Sequence, residues 1–285
     1  MIRRRTFCTA AAVGLALLVV PGVARAQAGG AAAAARKSPA HILIKVDDLR
    51  HVNGKVHPRW QKLVDFLKAR KVRAGIGIIG NSLENAPPEY VRWIREQRAT
   101  GLIEFWNHGY DHREWTEGGA KLREFAGTPY EHQKDHLTRV NRLAREKLGF
   151  PLPAFGAPFN GTDAATVRAL REDPETTVWL YGDPKDTAGK LVLERVGRVN
   201  IENPIFKPSL ERFVDGYRRY PERPYFVIQG HPAQWDDPGF EQFVRIVDFL
   251  TGEGAVFTTP SEYAKTRAAT SGPPQQQTAS PTRRR

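Results

Sequence analysis

Cysteine is nearly absent from this 285-residue chain, and the single one, Cys8, lies in an N-terminal stretch that reads as removable. A mature chain without it has no thiol, no disulfide and no cysteine metal ligand. Any metal site must then be built from histidine and carboxylate. Long apolar runs are missing too. The run Ala10 to Val20 is too short for a comfortable membrane span, so no stable span is expected once the N-terminus is removed. A one-signed charge is missing from the part that folds. Four arginines near the N-terminus, four after Lys265, and Arg36 with Lys37 carry ten of the formal +12, which leaves +2 on His41 to Lys265. That near-neutral body excludes a nucleic-acid partner as the leading reading. No internal repeat divides the chain.

What is present falls into four parts. Residues 1–26 read as a signal peptide: Arg3, Arg4 and Arg5 precede the apolar run, and Ala24-Arg25-Ala26 offers a small-residue cleavage site. Arg4-Arg5-Thr6-Phe7 also fits a twin-arginine export signal. The expected location is therefore periplasmic or secreted. Residues 27–40, rich in alanine and glycine, read as a linker. Residues 266–285, with little to bury and a terminal arginine run, read as a disordered basic tail.

Between them, residues 41–265 alternate short apolar runs with helical stripes. Strands are predicted at Ile42–Val46, Arg73–Ile79, Leu102–Asn107, Ala154–Ala157, Thr177–Tyr181, Leu191–Val196, Tyr225–Gln229 and Ala255–Thr258. Apolar runs of this length suit strands covered on both faces. Trp60, Leu63, Val64 and Leu67 recur at helical spacing, as do Leu137, Val140, Leu143, Ala144 and Leu148, and then Phe240, Phe243, Val244, Val247 and Leu250. Asp163 is placed to cap a further helix. Repeated strand–helix units imply a parallel sheet. About eight strands in this length fit one closed or nearly closed α/β barrel in a single domain.

Three stretches carry chemistry, and each follows a strand run. Ile42-Leu43-Ile44-Lys45-Val46 ends in Asp47-Asp48. Phe105-Trp106-Asn107 leads to His108 and, four residues on, His112, a spacing that brings both imidazoles to one side of a turning backbone. Tyr225–Gln229 leads to His231, whose proton is available near neutral pH. Asp48, His108 and His112 would give a metal three protein ligands and leave a position for water, the pattern of a catalytic zinc. His132 and His136 repeat the four-residue spacing inside a long helical pattern and read as its polar flank. Phe159 could line a pocket, and Asn160 could donate to a carboxylate. Trp106, Trp115, Trp179 and Trp235 are candidates to stack on sugar rings, with Trp235 the one assigned to substrate.

Taken in order, Val46-Asp47-Asp48, His108-x-x-x-His112, the Ala157-Pro158-Phe159 turn and Gln229-Gly230-His231 resemble the motif series of the polysaccharide deacetylases, the NodB-homology group (carbohydrate esterase family 4-like). The wording Asn107-His108-Gly109-Tyr110-x-His112 is close to a deacetylase-like branch of that superfamily. The resemblance runs from about Ile42 to Tyr263. It implies a distorted (β/α) barrel of about seven strands and a divalent metal, usually Zn2+, held by Asp48, His108 and His112. It makes Asp47 the general base and His231 the general acid in hydrolysis of a carbon–nitrogen bond, here an N-acetylated carbohydrate or another small amide. Two alternatives stand beside it: hydrolysis of a cyclic amide or amidine, and a catalytically impaired carbohydrate-binding pseudoenzyme. One departure is visible. The family's third motif opens with an arginine that holds the catalytic aspartate, and Ala157 stands there. Arg50, Lys45 and Asn160 are the candidate substitutes. The acid that tunes the catalytic histidine is open among Asp183, Asp186 and Asp237. Oligomeric state is not legible.

Overall fold

The computed structural model describes Arg36 and residues 38–271, with the backbone alone at Ser271. The expected signal peptide, residues 1–26, and residues 272–285 of the expected tail lie outside the described residues. Eight parallel strands form the central sheet: β1 (His41–Leu49), β2 (Ala74–Ile78), β3 (Ile103–Asn107), β4 (Ala154–Phe155), β5 (Val178–Leu180), β6 (Leu191–Leu193), β7 (Tyr225–Gly230) and β8 (Val256–Phe257). Seven of them run in the order β6-β5-β4-β3-β2-β1-β7, and β8 pairs with the start of β1. Arg195, just past β6, bridges in parallel to Val227 of β7 and nearly closes the ring. The result is a distorted (β/α) barrel of seven strands. All eight predicted strands are present, most of them trimmed by a residue or more at an end.

Among the described residues, seven α-helices accompany the strands: α1 (Pro58–Arg70), α2 (Pro88–Ala99), α3 (Tyr130–Leu143), α4 (Ala164–Glu172), α5 (Leu210–Arg218), α6 (Asp237–Gly252) and α7 (Pro260–Ser271). Asp163 caps α4, accepting from the backbone N–H groups of Ala165 and Thr166. The last helix, α7, carries regular structure six residues past Lys265, where the sequence reading ended the fold. Two antiparallel hairpins, His51–Val52 with Lys55–Val56 and Glu114–Glu117 with Ala120–Arg123, were not anticipated. They are short and polar, and two-sided exposure leaves no apolar alternation to read.

Strand alternation sorts β1 into two faces. Ile42, Ile44 and Val46 pack outward among the helix residues Trp60, Leu63, Val64 and Phe243. Leu43 points into the barrel with Trp106, Leu180 and Val227. Lys45 and Asp47 follow Leu43 at two-residue intervals, so the inner row of β1 climbs from an apolar floor to a charged mouth. Register with β2 shifts between Val46 and Leu49. Asp48 lies at that irregularity with φ +72°, a left-handed conformation that non-glycine residues rarely adopt. The break in the pleat sends the second acid to the same mouth as the first.

Candidate active site

The mouth at the C-terminal ends of the strands is where α/β barrels place their chemistry, and a cavity of about 320 Å³ opens there. That volume is at the lower end of ordinary ligand pockets. Asp47, Asp48, His108, His112, Asn160, Gln229 and His231 all reach it, as does Phe159. A wider hollow at the opposite end of the barrel, beside Arg98, Glu104 and Ser261, holds none of these groups.

Asp48 Oδ1 lies 3.1 Å from His108 Nε2 and 3.1 Å from His112 Nε2. The donor atoms of a tetrahedral zinc site with bonds of about 2.0–2.2 Å stand roughly 3.3–3.6 Å apart, so this spacing fits one ion with little adjustment. The candidate ligands are supported from behind. His108 Nδ1 lies 2.7 Å from the Gly156 carbonyl oxygen, which fixes Nε2 as the atom facing the site. The loop carrying His112 is tied to Glu124, at the base of the Glu114–Arg123 hairpin. Glu124 is fully buried, and its carboxylate accepts from the backbone N–H groups of Tyr110 and His112, the latter at 2.7 Å. Gly109 permits this: its φ is +72°, and a Cβ there would stand 2.8 Å from the Glu124 carboxylate oxygens. Burial works against charge on both Asp48 and His112. Contact with His108 and His112 outweighs it at Asp48, whose pKa falls below its ordinary value, and contact with Asp48 outweighs it at His112, whose pKa rises above its own.

Asp47 sits beside this group, with Oδ2 3.7 Å from His108 Nε2 and 3.9 Å from His231 Nε2. Lys45, one of the three candidate substitutes for the family arginine, is the one that holds it. Its Nζ lies 2.7 and 2.5 Å from the two carboxylate oxygens, and both residues are 1% exposed. Burial depresses the Lys45 pKa, against the pull of the Asp47 charge. Gln229 Nε2 adds a donor at 2.6 Å to Oδ2, and Asn160 in turn donates to Gln229 Oε1 at 3.2 Å. Asn160 therefore acts on Asp47 through Gln229. Arg50 is exposed and has no part in this contact.

The acid against His231 is Glu202, not Asp183, Asp186 or Asp237. Its Oε2 lies 2.7 Å from His231 Nδ1, and its Oε1 accepts from the His231 backbone N–H and from Trp235 Nε1, each at 2.6 Å. Asp186 and Asp237 pair with Arg171 and with Arg59 and Lys62, and Asp183 accepts from the Lys185 N–H. Burial disfavours the charged imidazole, yet Glu202 and Asp47 more than offset it, and the pKa of His231 is raised. Glu202 lies on an irregular segment that the apolar patterning of the sequence does not mark.

The aromatic expectations divide. Phe159 is 39% exposed with φ +57°, and its ring centroid lies 4.4 Å from that of His112. Phe206, unforeseen, does the same for His231 at 5.0 Å with φ +66°. Two aromatic residues held in a costly backbone region beside His112 and His231 mark a shaped mouth. Trp235 is a correction: it is 2% exposed and spends its indole N–H on Glu202, so it supports the histidine from below instead of meeting substrate. Trp106 and Trp179 are buried as well. His136 is also more than a polar flank. It is buried, and its Nδ1 lies 3.0 Å from Glu124. Asp111, Glu124 and His136 form a second compact donor group, but the Glu124 oxygens are already engaged by the two backbone N–H groups.

The model of the family described as polysaccharide deacetylase matches residues 34–178. That is half of the chain. The chain belongs to the polysaccharide deacetylase family. Its coarse class is thus that of the family, a hydrolase acting on acetylated carbohydrate. Comparison with the curated proteins gave no match. Solved structures share the fold at low identity. A chitin deacetylase from the fungal pathogen Colletotrichum lindemuthianum is 17% identical with a TM-score of 0.58, over 80% of this chain and 88% of that one. A family 4 acetyl xylan esterase from Clostridium thermocellum, solved with a cobalt ion, is 15% identical with a TM-score of 0.57, over 80% and 92%. Puue allantoinase is 14% identical with a TM-score of 0.60, over 81% and 91%.

Proposed function

We propose that this member of the family is an exported, metal-dependent hydrolase that removes acetyl groups from the nitrogen of an N-acetylated carbohydrate. The observation that carries the reading is the convergence of Asp48 Oδ1 with the Nε2 atoms of His108 and His112, with Asp47 and His231 on the same mouth. Asp48, His108 and His112 would hold a divalent cation, with zinc the first candidate for a donor set of one carboxylate and two imidazoles. When bound, the cation supplies Lewis-acid charge that offsets a developing oxyanion and acidifies water.

The remaining work belongs to the side chains. Asp47, fixed by Lys45 and Gln229, accepts the proton of the attacking water at its carboxylate. His231 enters protonated, with Nδ1–H directed at Glu202, and delivers the Nε2 proton to the leaving nitrogen. Glu202 fixes that tautomer and stabilises the imidazolium. Export rests on the Arg4-Arg5 signal; fractionation of cells expressing the full chain tests it, and a purely cytoplasmic product would refute it.

The deciding experiment loads the purified protein with zinc, cobalt or nickel and measures acetate release from N-acetylglucosamine oligomers, alongside metal content. Acetate released in proportion to bound metal supports the reading. A second reading, hydrolysis of a cyclic amide or amidine, draws on the lysine that replaces the family arginine and on the small cavity. Ring-opened product without acetate would favour it. A binding-only pseudoenzyme is disfavoured, because binding alone has no need of an ordered base, acid and ligand set.

A further inference from the structure

Of the two arginines that line the cavity, one is left without a counter-charge among the described residues. Every carboxylate that lines the cavity already has a partner: Asp47 has Lys45, Asp48 has the two imidazoles, and Glu202 has His231. Arg123, also at the mouth, pairs with Glu114 through its Nε at 2.8 Å. Arg195 lines the same cavity, and among the described residues its guanidinium has no ion pair and no hydrogen bond. Arg195 is exposed, and its guanidinium carbon lies over the Tyr181 ring, 5.5 Å from the centroid.

That ring is a fixed platform. Tyr181 has φ +61°, and its hydroxyl donates to the Val227 carbonyl at 3.0 Å. Lys45 Nζ lies over the same ring at 5.1 Å. Two cations therefore share one aromatic ring, and only the inner one has an anion. Around the barrel, Arg195 follows β6 and closes onto β7, whereas the metal-ligand candidates stand at the ends of β1 and β3. A ligand whose acyl group lies at Asp48, His108 and His112 has its far side toward Arg195.

We propose that the substrate saccharide bears an anionic substituent, a carboxylate, and that Arg195 binds it. A guanidinium is planar and presents paired N–H donors along one edge, a geometry that suits a carboxylate. Arg195 is then a specificity-determining residue, and the substrate class is an acidic N-acetylated sugar. This rests on the deacetylase reading above.

The test uses metal-loaded full-length protein and two probes, N-acetylglucosamine and N-acetylmuramic acid, which differ by one lactyl carboxylate. Calorimetry gives the two dissociation constants, and acetate release is followed in parallel. The acidic sugar binds tighter by roughly 10–100-fold, the range of a charge-assisted hydrogen bond. Arg195→Gln brings the two constants to within about threefold, Arg195→Lys keeps part of the preference, and added salt weakens it. Equal affinities in the unaltered protein, or a preference that survives in Arg195→Gln, would overturn the proposal. If neither sugar releases acetate, the deacetylase reading is what fails, and the binding comparison still decides the role of Arg195.

Discussion

Replacing Lys45 by methionine tests the tightest electrostatic contact in the barrel. Lys45 and Asp47 are each 1% exposed, and Nζ lies 2.7 and 2.5 Å from the two carboxylate oxygens. Methionine fills much of the stem's space and removes the charge. Asp47 is left buried with Gln229 Nε2 as its remaining close donor. Breaking a buried pair from one side costs about 3–5 kcal/mol. With a urea m-value of about 3 kcal/mol/M for a domain of this size, the unfolding midpoint falls by roughly 1–1.7 M. The measurement belongs in chelator-treated protein, so that metal linkage adds nothing. Adding Asp47→Asn to Lys45→Met removes the stranded charge, and the double variant is more stable than Lys45→Met alone. Arginine does not rescue. The lysine Cε already stands 3.3 Å from where a Cβ on Gly156 would be, and Trp106 covers it, so the larger guanidinium overpacks the site. A Lys45→Met midpoint within about 0.3 M of the unaltered protein would refute the reasoning.

Four further outcomes are expected. Asp47→Asn lowers kcat by roughly 10²–10⁴-fold, the usual weight of general base catalysis, while metal content by mass spectrometry is unchanged. His108→Ala loses the metal itself. Glu202→Gln removes the carboxylate that raises the His231 pKa. Because the general acid must be protonated, the basic limb of the kcat/KM profile moves to lower pH; an unmoved limb would mean that another group is titrating. Glu124→Gln loosens the His112 loop and weakens zinc affinity by about 10–100-fold, the range for groups that orient a ligand, as read by competition with a chelator dye.

The strands were legible because a barrel wall is covered on both sides, which turns each strand into an apolar run. Asp47, Asp48, His108, His112 and His231 were legible because each follows such a run directly. Lys45 carried a signal that could have been used alone: it stands two residues before Asp47 on one strand, so the two share a face. Glu202 carried none of that kind. It reaches His231 from 29 residues away on a segment with no period, and only the tertiary path brings them together. Trp235 misleads for a related reason. A tryptophan near a catalytic histidine has the same letters whether it faces substrate or supports an acid.

The hairpin that leads into Glu124 gives the protein an unusual exposure to change. His112 is steadied from an appendage whose strands pair only with each other and not with the barrel wall. Lengthening or trimming that appendage would leave the barrel strands in place, yet would shift the hold on the cation proposed for Asp48, His108 and His112. Within a lineage, insertions and deletions there would tune cation retention while the motifs themselves stayed letter for letter the same.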